Sequence, residues 1–92
     1  MILSFKHKGL EQFFGTGRKS GIHAKHSKQL QLILCRLNAS VAPEDMSLPG
    51  LYLHQLSGSR AEIWSVSVGG NWGITFRFNG EHAEIVNYEN YH

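Results

Sequence analysis

The chain has 92 residues, 41% of them hydrophobic and 17% charged, a length that supports one core and a composition that excludes a disordered chain. No apolar run approaches the roughly 18 residues of a membrane span. Met1–Lys6 is too short an apolar stretch for a secretion signal, and the single Cys35 excludes an internal disulfide or a cysteine-based metal cluster. The expectation is a small cytoplasmic protein with a reduced thiol. The net charge of +2 conceals a split: residues 1–40 carry seven Lys and Arg against Glu11, a balance of +6, while residues 41–92 carry Arg60 and Arg77 against six acids, a balance of −4. The basic half faces a polyanion, an acidic partner or only solvent.

Met1–Phe5 predicts a short strand. Lys8–Phe14, with Leu10, Phe13 and Phe14 at helical spacing, predicts a first helix broken by Gly15-Thr16-Gly17. After the loop Arg18–Gly21, His23 to Ala39 predicts the main helix, because Leu30, Ile33, Leu34 and Leu37 fall at i, i+3, i+4 and i+7. Lys25, Lys28, Gln29 and Arg36 take its opposite face. Pro43-Glu44-Asp45 reads as a proline-started turn, and Pro49-Gly50 marks the change to strands. Strands follow over Leu51–Leu56, Ala61–Val68, Asn71–Phe78 and Glu81–Tyr88, with a type I′ turn at Asn79-Gly80. The class is α+β: a short N-terminal strand and two helices packed on a three- to four-stranded antiparallel sheet, in two layers. Alternation gives Trp72, Ile74, Phe76 and Phe78 to the covered face and Asn71, Gly73, Thr75 and Arg77 to the open one.

Little chemistry follows from spacing. His23 and His26 have no third ligand nearby and read as a solvated pair. Gly15-Thr16-Gly17 lacks the preceding strand and the lysine of a P-loop. Cys35, among leucines, reads as a buried small apolar residue. What remains gathers on the strands and the tail: His54, Ser57, Arg60, Arg77, Asn90, Tyr91 and His92. Cleaving RNA without a metal needs a base for the 2′-OH, an acid for the leaving 5′-oxygen and cations for the phosphorane. His92 can donate or accept that proton near neutrality. Arg60 can grip phosphate through two donors, and Tyr91 can stack on a base. Each also has a plain structural meaning: Tyr91-His92 as the end of a chain, Arg60 as a loop salt bridge.

The segment His54-Gln55-Leu56-Ser57-Gly58-Ser59-Arg60, then Trp64–Val68, Asn71–Phe76 and the ending Val86–His92, resembles the HigB-like "killer" toxins of the RelE/ParE superfamily. The opening Ile2–Lys6 and its short helix fit as well, so the resemblance covers the whole chain. It implies a two-layer, microbial-ribonuclease-like fold and a metal-free endoribonuclease that needs no cofactor. It also implies cleavage of mRNA in the ribosomal A site, with the 2′-OH attacking the adjacent phosphate. The implied partners are a HigA-like helix-turn-helix antitoxin and, through that complex, operator DNA; no membrane is involved.

Carried over by position, the family's catalytic features fall on Ser57, Gly73, Asn90, Tyr91 and His92. Beside them, Arg60, Arg77 and His54 are expected to bind phosphate or assist proton transfer, and Lys25 and Lys28 on the basic helix to meet ribosomal RNA. Only Tyr91 and His92 keep the usual residues. Ser57 stands where relatives have lysine, Gly73 where they have arginine, and Asn90 where they have aspartate. Two cations and one carboxylate are thereby lost, and a mid-strand glycine weakens its strand. The resemblance therefore implies a weakened or inactivated toxin. Two other classes stay open: a gyrase-inhibiting toxin of the ParE branch, and a non-catalytic co-repressor that acts only with its antitoxin.

Overall fold

A computed structural model describes residues 1–90; Tyr91 and His92 lie outside the described residues. Helix α1 spans Lys8–Thr16 and α2 spans Ser27–Ala39. The first starts where His7 Nδ1 accepts the Leu10 N–H at 3.0 Å. It ends at Gly17, whose φ of 80° lets its N–H reach back to the Phe13 carbonyl. The expected start of the second helix at His23 moves to Ser27. His23 is extended, and Ala24–His26 forms a 3-10 turn without any side-chain cap.

Strands β1 (His54–Gln55), β2 (Trp64–Gly69), β3 (Trp72–Asn79) and β4 (His82–Asn90) make one antiparallel sheet in sequence order. The expected strand Leu51–Leu56 shrinks to two residues because Gly50 and Tyr52, with φ of 84° and 53°, turn the chain. The expected N-terminal strand exists as two isolated parallel bridges, Ile2 to Ala83 and Phe5 to Val86, on the outer edge of β4. Between them Ile85, at φ 47°, bulges out of the ladder, and Ser4 Oγ accepts its N–H at 2.8 Å. The last hairpin turns one residue later than expected. Asn79 pairs with His82, so Gly80 and Glu81 are central and, of the two, Gly80 alone has positive φ. That is the type II′ pattern, with glycine first, in place of type I′.

The predicted helix stripe forms the core. Leu30, Ile33, Leu34 and Leu37 are fully buried with Leu10, Val66, Ile74, Phe76 and Val86, and Phe13 is nearly so. Each such side chain contributes about 1.5–3 kcal/mol by leaving water. Ile74 and Phe76 keep the expected covered face, while Trp72 and Phe78 are half-buried near the strand ends. Cys35 is exposed, contrary to expectation. One position beyond Leu34, it is rotated about 100° away from the stripe. His26 is likewise buried, at 7% exposure, not solvated. Among the described residues no helix is long and apolar enough to cross a membrane.

The segment 18–26 straps across α1 at a glycine pair. A Cβ on Gly21 would lie 2.5 Å from Gly9 Cα, and one on Gly9 would lie 2.6 Å from the Gly21 carbonyl oxygen. Both obstacles are backbone and cannot rotate away. Gly21→Ala should therefore cost about 1–3 kcal/mol of stability in a urea titration. Gly15→Ala, which meets nothing within 4 Å, should stabilise by about 0.5–1 kcal/mol as a helix-interior change. Equal midpoints for the two variants would contradict this crossing.

Candidate functional site

Register pairs align His54, Ser65, Thr75 and Asn87 in one row across all four strands of the face away from the helices. Ser67, Gly73 and Glu89 form the next row. The parity expected for Gly73 and Thr75 holds, but this face is filled at its centre. Thr75 is 2% and Ser65 0% exposed, and Gly73 is buried too.

Glu89 organises the filling. Its Oε2 accepts from Thr75 Oγ1 at 2.6 Å, from Arg60 Nη2 at 2.7 Å and from Asn87 Nδ2 at 3.2 Å, while Oε1 accepts from Arg60 Nη1 at 3.2 Å. Burial pushes the Glu89 carboxyl upward, but those donors and the Arg60 charge outweigh it and hold the group below the ordinary 4.5. The anionic form is thus the one the fold favours. Its contribution is complete above pH 4.5 and is lost as pH falls through the lower folded value. Urea titrations between about pH 3 and 6 should show Glu89→Gln with a flatter acid limb than the wild type. Parallel limbs would show that the carboxylate is not so held.

Beside Glu89 a cavity of about 100 Å³ is bordered by Lys6, Arg60, Ile63, Ile85 and Asn87. At the far end of the row His54 is exposed, its Nδ1 3.0 Å from the Tyr52 carbonyl oxygen. A carbonyl only accepts, so Nδ1 carries the proton and the neutral ring keeps its lone pair on Nε2. Ser57 is exposed and opens the 3-10 turn Gly58–Arg60, which aims Arg60 at Glu89.

Other expected site residues are not gathered here. Arg77 stands two residues farther along β3, where it bonds the Glu84 carboxylate and lies 3.6 Å from Glu62. It borders a separate cavity of about 480 Å³ with Pro43, Trp64 and Phe78. Lys25 and Lys28 are exposed in the helical layer. Asn90 is exposed and pairs with Trp72. It therefore has the parity of Tyr88, opposite to Gly73 and Glu89. Tyr91 and His92, at the centre of the expected site, fall outside the described residues.

Sequence reading missed Glu89, Thr75 and Asn87 as a cluster. The alternation of β3 already pointed Thr75 at this face. The β4 partners were hidden because counting back by twos from Glu89 reaches Ala83, which the bulge at Ile85 moves into the core. Among the described residues no three His, Cys, Asp or Glu side chains converge to hold a metal ion.

This fold agrees with the family that the chain matches. Residues 3–92 match the family described as RelE-like toxin of the type II toxin–antitoxin system HigB. The chain is also 39% identical over 92 residues to Endoribonuclease HigB of Proteus vulgaris, covering all of both chains. With residues 3–92 matched, the chain belongs to the HigB-like, RelE-type toxins of type II toxin–antitoxin systems.

Proposed function

We propose that the protein is an endoribonuclease that cuts mRNA on the ribosome and so halts translation. The observation that carries the reading is the row that begins at the exposed His54, whose Nδ1 is held by the Tyr52 carbonyl, on the same sheet face as the Arg60–Glu89 cluster. The activity named for the Proteus vulgaris relative supports the same chemistry. In this reading His54 Nε2 takes the 2′-OH proton, the 2′-oxygen attacks the adjacent phosphorus, and the bond to the 5′-oxygen breaks. His92 returns a proton to that oxygen. Tyr91 stacks a base, and Arg60 and Lys6 supply positive charge. Ser57, Gly73 and Asn90 make the enzyme slow, because they supply no cation or carboxylate where relatives carry one.

Lys25 and Lys28, in the basic helical layer, meet ribosomal RNA, a contact that weakens with salt as counterions are released. Membership of a toxin–antitoxin family supplies an antitoxin as partner. We assign it the HigA-like helix-turn-helix type, through which the pair reaches operator DNA. Primer extension after induction tests the nuclease reading. Discrete new 5′ ends should arise inside translated messages and vanish when initiation is blocked. Growth arrest without such ends would instead favour gyrase poisoning, and repression without arrest would favour a co-repressor.

A further inference from the structure

Opposite the Glu89 cluster, the covered face of β4 carries a second polar group that the reaction above does not use. Tyr88 is 5% exposed and His26 7% exposed, yet both bear polar atoms. Tyr88 Oη lies 2.5 Å from His26 Nδ1, within one hydrogen bond. Aromatic rings close the site. Trp72 packs on Tyr88 with centroids 4.6 Å apart, His23 meets Trp72 edge-on at 4.7 Å, and His7 meets Tyr88 edge-on at 5.5 Å.

The Tyr88 hydroxyl has one proton, and donation to Nδ1 is the direction that gives this buried proton an acceptor. His26 must then be neutral, with its own proton on Nε2. An imidazolium would carry a proton on Nδ1 as well, and the Tyr88 proton would be left buried without an acceptor. Burial first, then the charges of Lys25 and His23, hold His26 below the ordinary 6.5. The titratable groups facing the ring are Tyr88 on β4, His23 and Lys25 on its own segment, and His7 at the start of α1, beyond Tyr88. Trp72, also packed against it, does not titrate.

We propose that His26 is a positioning residue for the ribonuclease reaction: through the Tyr88 hydroxyl it ties the strap to the end of β4, the strand that leads into Tyr91 and His92. The role rests on the reading of those terminal residues as the site. β4 is pinned on both faces, at Glu89 by Arg60 and at Tyr88 by His26. The His26 anchor is complete above pH 6.5 and is lost as pH falls through the lower folded value. The Glu89 anchor fails only below 4.5.

The test uses the full chain and ribosome-bound mRNA. In His26→Leu, amide exchange over Tyr88–Asn90 should quicken about tenfold, and kcat should fall about tenfold at unchanged KM. Tyr88→Phe should match it, and the double variant should be no worse than either alone. His26→Asn keeps an acceptor oxygen near the place of Nδ1 and gains no proton, so it should restore kcat. Its activity should fall less than the wild type's between about pH 7.5 and 5.5. Every other histidine is common to both chains, so the difference between them isolates His26. A His26→Leu chain with wild-type exchange and kcat, or a His26→Asn chain with the wild-type acid limb, overturns the proposal. If His92→Ala cleaves at the wild-type rate, the site reading falls and this role falls with it. An inactive His92→Ala beside a fully active His26→Leu removes the role of His26 alone.

Discussion

Replacing His92 by alanine should lower mRNA cleavage by a factor of about 10²–10⁴, the usual loss when a well-placed proton donor or acceptor is removed. The fold should survive, because the buried core of the described residues stands without this position. His54→Ala should fall within the same range and the double variant should add little, since acid and base act as a unit. The measurement is single-turnover cleavage of a programmed ribosome, with near-ultraviolet circular dichroism as the control for packing. Wild-type cleavage by His92→Ala would falsify the assignment of the terminal residues. Undiminished growth arrest by an uncleaving variant would move the target away from mRNA.

Gly73→Arg should raise cleavage about 10- to 100-fold, the inverse of losing one electrostatic stabiliser of a developing anion. Position 73 pairs with Ser67 on one side and Glu89 on the other, in the row next to His54 and Thr75. Glu89 is already matched by Arg60, so the added guanidinium brings a net positive charge to a face where the described ion pairs nearly cancel. It also meets a carboxylate neighbour across the strand, which favours the new residue at a partly dehydrated position. Any side chain relieves the weakness of a mid-strand glycine, so Gly73→Met is the necessary control. An increase shared by methionine would point to strand order, and an increase confined to arginine would point to charge. No change with arginine would sink the view that Gly73 limits the rate.

The Arg60–Glu89 pair bears on the charge this face can offer a phosphate. A lysine at position 57 and an arginine at position 73 would add two cations. Here Arg60 is tied to a carboxylate through two hydrogen bonds, and Arg77 is bound at another place by Glu84. Thus both arginines of residues 41–92 are ion-paired. The basic half of the chain lies in and around the helices, and the acidic half forms the sheet. That arrangement suits a protein that meets a polyanion with one surface and performs its chemistry with another.

Sequence alone determined the layers. The stripe Leu30, Ile33, Leu34 and Leu37 and the alternation through Ile74 and Phe76 are local periodicities, and burial in water rewards them wherever the chain goes. The family was legible for a similar reason, since its motifs are contiguous. Tertiary structure alone decided the pairings that cross the chain. Glu89 meets Arg60 over a separation of 29 residues and His26 meets Tyr88 over 62, and neither follows from any local spacing. Register is the physical reason. A bulge at Ile85 and a hairpin displaced by one residue at Gly80 decide which β4 side chains face the helices and which face the row of His54. A one-residue change in either exchanges the two faces. Only the closed ladder, with its backbone hydrogen bonds satisfied, selects the register that puts Glu89 on one side of the last strand and Tyr88 on the other.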